Sequence, residues 1–147
     1  MDLETTIDID APTSRVWDVL TDFERYPEWN PFVRTLRGEI REGARLHVEL
    51  GPPGGKVMAF RPTVTKAAPR QALGWLGTLG PGWLFRGEHT FRLEALDGGR
   101  TRFHHGETFG GLLLPLLRKG LDTETRRGFE AMNAALKAEA ERAPTTA

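Results

Sequence analysis

Two histidines and a glutamate are the residues of this sequence best placed to move a proton. In the segment Trp83–Leu96 the apolar residues Trp83, Phe85, Phe91 and Leu93 all sit at odd positions, and His89 shares their parity. Successive side chains of a strand point to opposite faces, so His89 belongs to the inward face while Arg86, Glu88, Arg92 and Glu94 point out. In Arg100–Phe109 the inward parity collects Thr101, Phe103, His105, Glu107 and Phe109. A three-residue Asp97-Gly98-Gly99 loop, with a glycine in the left-handed region, joins the two strands without turning one apolar face outward. That register sets Leu93 opposite Phe103, Phe91 opposite His105 and His89 opposite Glu107. Directly opposed residues have Cβ atoms about 4.5–5.5 Å apart, within hydrogen-bond reach for a His and a Glu. Such a pair is a workable general base, and either group could titrate near neutrality in an apolar cavity. The same pair could instead satisfy itself and pin the wall, or anchor the polar head of a bound molecule. No metal is expected: zinc or iron(II) would accept these residue types, but no paired-His motif on a helix accompanies them. His47 and His104 alternate onto the outer face.

The totals narrow the classes further. A chain of 147 residues fits one domain, set here at residues 1–142, with a frayed tail over 143–147. Lys plus Arg is 20 and Asp plus Glu is 20, a formal net charge of +0 that gives no electrostatic reason to expect nucleic acid or an anionic membrane as partner. Cys is 0, which removes disulfides, thiolate metal sites and cysteine nucleophiles and fits a reducing cytoplasm. Met1-Asp2-Leu3-Glu4 shows no basic region before an apolar run, and no apolar stretch approaches the ~20 residues that span a bilayer. A cytoplasmic monomer or small homo-oligomer, without stable membrane insertion and without a cofactor, is the expectation. Gly51-Pro52-Pro53-Gly54-Gly55 lacks the Lys-Ser or Lys-Thr of a phosphate loop and reads as a turn. Ser14 has no nucleophile-elbow context.

The elements that must position the pair follow from periodicity. Leu3, Thr5, Ile7 and Ile9 alternate with polar residues as a half-buried strand. Ala11-Pro12 opens a helix striped by Val16, Leu20 and Phe23; Thr21 and Asp22 can cap a second short helix, which Pro27 is expected to stop. Strands are expected at Val33–Gly38, Arg45–Leu50, Val57–Lys66, Ala72–Gly77, Trp83–Leu96 and Arg100–Phe109, with hairpin-length turns that argue for an antiparallel meander. After Gly110-Gly111 the spacing of Leu113, Leu117, Leu121, Gly128, Phe129, Met132 and Leu136 is helical, with Pro115 tolerated near the first turn. The fold class is α+β: a curled antiparallel sheet of about seven strands around one long C-terminal helix, with two short helices after strand 1. A sheet of that length curls, and a single helix leaves space on its concave face.

The opening Ile7-Asp8-Ile9-Asp10-Ala11-Pro12, then Val16-Trp17-Asp18-Val19-Leu20-Thr21-Asp22, resembles the START-like (SRPBCC) superfamily of polyketide cyclase/dehydratase and lipid-transport type. Tyr26-Pro27-Glu28-Trp29-Asn30-Pro31, Gly98-Gly99-Arg100-Thr101-Arg102 and Glu107-Thr108-Phe109-Gly110-Gly111-Leu112 extend the likeness, which runs from about Leu3 to Arg142. The resemblance implies the helix-grip fold and a ligand cavity between sheet and long helix. It implies no particular reaction, since one scaffold carries carriers, cyclases, hydrolases and co-chaperones.

Residues expected to face a ligand there are Tyr26, Trp29 and Phe32, whose aromatic tract would form a lip at the entrance, and Trp75. With them stand Trp83, Phe85, His89, Phe91, Phe103, His105, Glu107 and Phe109 by inward parity, and Leu113, Leu117, Phe129 and Met132 from the helix. His89, Glu107 and His105 are the candidates for catalysis. The leading expectation is a protein that binds or transports a small hydrophobic or aromatic molecule. The rivals are a cyclase/dehydratase-like enzyme using the cavity His and Glu as acid and base, and a protein-interaction module with a cavity too small for anything but water.

Overall fold

The two long strands form as their parity requires. In the computed structural model, which describes residues 1–142, β7 (Arg86–Leu96) and β8 (Arg100–Gly110) pair antiparallel. His89 lies opposite Glu107, Phe91 opposite His105 and Leu93 opposite Phe103. Gly98 and Gly99 turn the hairpin with φ of 76° and 71°, a left-handed conformation open to glycine at no steric cost. The tail expected to fray, residues 143–147, lies outside the described residues.

Six further strands complete two sheets. β1 (Asp2–Ile9) pairs with the free side of β8; β6 (Ala72–Thr78) joins β7 and β5 (Thr63–Ala68) joins β6, giving the order β1-β8-β7-β6-β5. β2 (Val33–Arg37), β3 (His47–Leu50) and β4 (Met58–Phe60) form a second, three-stranded antiparallel sheet. The strand expected over Val57–Lys66 is therefore two strands, and the total is eight. Pro62 is the reason: it has no N–H for a ladder, so the chain breaks there and crosses from one sheet to the other. The carbonyl of Pro62 instead accepts from Leu46 N at 2.8 Å, and Val64 N donates to Ala44 O at 2.8 Å, stitching the sheets at the bend. The strand expected from Trp83 begins only at Arg86.

The helices hold smaller corrections. α1 (Thr13–Thr21) follows Pro12 and buries Val16, Val19 and Leu20. After a 3₁₀ turn over Phe23–Arg25, Pro27 stands in the first turn of α2 (Tyr26–Trp29) and starts that helix instead of stopping it, since its missing N–H costs nothing there. Thr21 spends its hydroxyl on Trp17 O, and Asp22 makes no side-chain cap. The C-terminal helix is continuous but not uniform: α3 (Leu114–Gly120) passes through a π-helical stretch, Leu121–Thr125, into α4 (Arg126–Glu141). Pro115 lies in its first turn, as spacing requires. α4 buries Gly128, Phe129, Met132, Asn133, Leu136 and Ala140 and packs across β1 and β8. No helix among the described residues is long and apolar enough to cross a membrane.

Gly128 lets the Phe32 ring, just ahead of β2, sit close against α4. A Cβ there would fall inside the contact distance of the Phe32 ring, which is itself packed edge-on against Phe129 at 5.6 Å between centroids. Overfilling such a contact costs about 1–3 kcal/mol. Gly128→Ala is expected to lower the unfolding free energy by that amount, seen as a lower urea midpoint at an unchanged m-value; a midpoint equal to wild type would show that Phe32 yields freely.

Candidate functional site

A cavity of about 470 Å³ opens between the two sheets and the first half of the C-terminal helix. Val48, Leu50, Met58 and Phe60 form one wall and Trp75, Phe85 and Phe109 the other; Leu117 and Leu121 cover it from the helix, and Phe32 also borders it. Phe85 and Phe109 stack at 6.0 Å, making a flat aromatic panel. Lys56 and Glu124 are charged lining residues, and both are exposed to solvent. The remaining charged or imidazole groups on the wall are Glu107 and His89.

His89 is 2 % exposed and caged by aromatic rings, with Trp75 at 4.9 Å, Phe91 at 4.8 Å and Phe129 at 5.1 Å between centroids. Its Nδ1 lies 3.4 Å from Glu107 Oε1, and its Nε2 lies 2.7 Å from His105 Nε2. His105 is wholly buried behind it, stacked on Phe129 at 3.8 Å, and its Nδ1 meets Asn133 Oδ1 at 2.8 Å. Asn133 Nδ2 donates to Thr5 Oγ1 at 2.8 Å, and that hydroxyl donates to the carbonyl of His105 at 3.2 Å. A polar chain thus runs from the cavity wall through the core, Glu107 to His89 to His105 to Asn133 to Thr5.

Burial sets the charge state of this chain. It holds His89 down to about 3, well below the usual imidazole range. His105 is lowered by burial first and by its histidine neighbour second, against the smaller opposing effect of the Asn133 hydrogen bond. Burial pushes the Glu107 carboxyl up to about 8. At neutral pH the 3.4 Å contact between His89 and Glu107 is therefore one between neutral groups and not an ion pair. Gly87 makes room for this carboxyl: a Cβ on Gly87 would collide with Glu107 Oε2.

Of the residues expected at the ligand, Phe32, Trp75, Phe85, His89, Glu107, Phe109 and Leu117 border the cavity. His105, Phe91, Phe103, Phe129 and Met132 lie behind its wall in the closed core, because α1 and α4 cover that end of the sheet. Tyr26 forms no lip: it is fully buried, its hydroxyl donates to Leu20 O, and burial, then nearby Asp22, raises that hydroxyl's pKa. Trp29 packs edge-on against Tyr26 at 5.2 Å and borders a small polar cleft with Arg15, Asp18 and Glu139. Trp83 is 64 % exposed in the turn before β7, and Leu113 lies just ahead of α3, away from the cavity wall. His104 faces outward between Glu94 at 2.9 Å and Glu4 at 3.4 Å, and His47 pairs with Glu49 at 3.1 Å.

Sequence reasoning missed the wall from β3 and β4, and it missed Asn133 and Thr5. The last two carry a signal in retrospect. Asn133 interrupts the apolar stripe of Phe129, Met132 and Leu136, and Thr5 shares the parity of Leu3 and Ile7.

A two-part sheet wrapped on a C-terminal helix, enclosing an apolar cavity with one polar end, defines a helix-grip protein of the START-like superfamily. The chain belongs to the family described as polyketide cyclase / dehydrase and lipid transport, whose model matches residues 1–141. Among solved structures it is similar to the Zhui aromatase/cyclase from Streptomyces sp. R1128, with 20 % identity, a TM-score of 0.76, and coverage of 97 % of this chain and 94 % of that one. A START superfamily protein from Mycobacterium smegmatis gives 20 % identity and a TM-score of 0.72 over 95 % of this chain and 97 % of that one. The di-domain aromatase/cyclase BexL of the BE-7585A biosynthetic pathway gives 17 % identity and a TM-score of 0.74 over 98 % of this chain. This chain spans 51 % of BexL. At such identities the likeness establishes the fold alone. No curated protein matches the sequence.

The charge states carry a pH signature. Free glutamate ionises near 4.5 and Glu107 near 8, so folding takes up a proton between those values. The stability this group contributes is complete below 4.5 and is lost as pH rises to about 8. His89 acts in the opposite direction: its contribution is complete above its usual 6.5 and is lost as pH falls towards 3. Above 6.5 the Glu107 slope stands alone of the two. Between pH 6.5 and 8, wild type is expected to lose about 2 kcal/mol relative to Glu107→Gln in urea unfolding. Parallel stability profiles for the two proteins would contradict a protonated Glu107.

Proposed function

We propose that the protein binds and carries a small hydrophobic or aromatic molecule, whose polar end meets Glu107 and His89. The observation that carries this reading is the cavity itself: about 470 Å³ of space with apolar walls and one polar pair, a buried His89 beside a half-buried Glu107. Ligand pockets of that size, mostly apolar with a few convergent polar groups, are the usual form of a small-molecule site. The flat Phe85–Phe109 panel favours a planar ligand, which can lie offset against the rings. A cavity of this volume gives no support to a pure interaction module.

One observation favours a second reading, an enzyme of the cyclase/dehydratase type. Glu107, held near neutrality beside His89 on an apolar wall, is a suitable proton donor and acceptor. The aromatase/cyclase similarity agrees with that reading at the level of fold. The two readings part on turnover: a carrier retains its ligand unchanged, whereas an enzyme shows a rate that vanishes in Glu107→Gln.

Native mass spectrometry of the gently purified protein tests the carrier reading. A mass excess that disappears on denaturation is expected, and its size identifies the ligand. His89→Ala and Glu107→Ala are each expected to weaken retention of that ligand about tenfold or more, while His104→Ala on the outer face leaves it unchanged. Equal losses in all three variants would remove Glu107 and His89 from the binding site.

A further inference from the structure

The polar chain behind the cavity has a direction, and the direction decides what the wall offers a ligand. The Thr5 hydroxyl donates its one proton to His105 O, so it accepts from Asn133 Nδ2. Asn133 therefore presents Oδ1 to His105, and His105 Nδ1 carries the proton of that hydrogen bond. A neutral imidazole has one N–H, which leaves His105 Nε2 as an acceptor. The 2.7 Å contact between the two Nε2 atoms then requires His89 to donate from Nε2. His89 Nδ1 is left with a lone pair, 3.4 Å from Glu107 Oε1. That lone pair is an acceptor within reach of the Glu107 carboxyl proton, and the other oxygen, Oε2, lies over Gly87 and can accept from a ligand. Both imidazole protons of the chain are committed inward, away from the cavity.

We propose that the polar end of the cavity recognises a hydroxyl donor, a phenol or alcohol on an otherwise apolar molecule, and that Asn133 is a positioning residue which sets this preference without touching the ligand. The inference rests on the binding role proposed above and names the chemistry of the bound group. An ether or ketone of the same shape offers the pair only lone pairs. A carboxylate ligand adds a buried negative charge that no cationic side chain on the inner wall offsets, since Lys56 stands in solvent. Ionisation of Glu107 does not reverse the preference, because a carboxylate also accepts.

Two measurements test it. Long-range ¹⁵N–¹H correlation on the wild-type protein at pH 6.5 is expected to show His105 protonated at Nδ1 and His89 at Nε2, opposite tautomers in neighbouring rings. A His89 protonated at Nδ1 overturns the proposal. Isothermal titration calorimetry with naphthalene, 2-methoxynaphthalene, 2-naphthol and 2-naphthoate is expected to rank 2-naphthol at least tenfold tighter than the other three. In Asn133→Leu, binding of naphthalene persists and the 2-naphthol advantage falls below threefold; a retained advantage overturns the role of Asn133. Equal affinities in wild type, or tight binding of 2-naphthoate, overturn the hydroxyl preference and leave the binding role standing. Absence of binding by all four overturns both.

Discussion

Two imidazole nitrogens 2.7 Å apart in the middle of an apolar core can share only one proton, and much of this molecule is arranged around that restriction. Two charged rings at that distance would repel, and a ring left without a partner would forfeit the cost of desolvating it. The rings of Trp75, Phe91 and Phe129 exclude water and keep both imidazoles neutral. Neutrality makes each ring one donor and one acceptor, so the chain can be satisfied only if Asn133 and Thr5 close it at the far end. A histidine pair would otherwise be an expensive way to fill a core. Here it transmits an orientation from α4 and β1 to the cavity wall.

That arrangement depends on strand register. A one-residue slip of β7 against β8 would send His89 to solvent, away from Glu107, and bring Arg92 and Glu94 inward, a loss that the apolar face forbids. The two glycines of the Asp97-Gly98-Gly99 turn hold the register, and Gly87 leaves the space that the Glu107 carboxyl occupies. The bend at Pro62 does the complementary work. By ending the ladder of β4 it turns the small sheet across the large one, and Val48, Leu50, Met58 and Phe60 become the second wall.

One aromatic face thus serves two purposes along its length. Near the hairpin turn, Leu93, Phe91 and Phe103 are sealed by α1 and α4 and provide stability. Towards the other end Phe85 and Phe109 remain open, because α3 and the π-helical stretch stand off from the sheet and present Leu117 and Leu121 across a gap. The polar chain ends at the boundary between the sealed half and the open half.

Much of this was legible in the residues themselves. Parity along β7 and β8, with the turn chemistry between them, gave the pairing of His89 with Glu107, because side-chain alternation in strands is a local rule. The order of elements and the long C-terminal helix followed from period and from Gly and Pro punctuation. What the tertiary structure decided is everything that depends on which elements share a neighbour. Tyr26 and Trp29 read as an exposed aromatic lip, yet α2 buries Tyr26 in the core and leaves Trp29 half-buried against it. The contact of His89 with His105 runs diagonally between strand positions that alternation alone would pair with Glu107 and Phe91. Asn133 stands 28 residues beyond His105 in sequence, and only the packing of α4 on β8 and β1 brings its amide to that ring. Local periodicity fixes the direction in which a side chain points; the partner it meets there is set by the folding of distant segments onto one another, and no spacing in the chain encodes that distance.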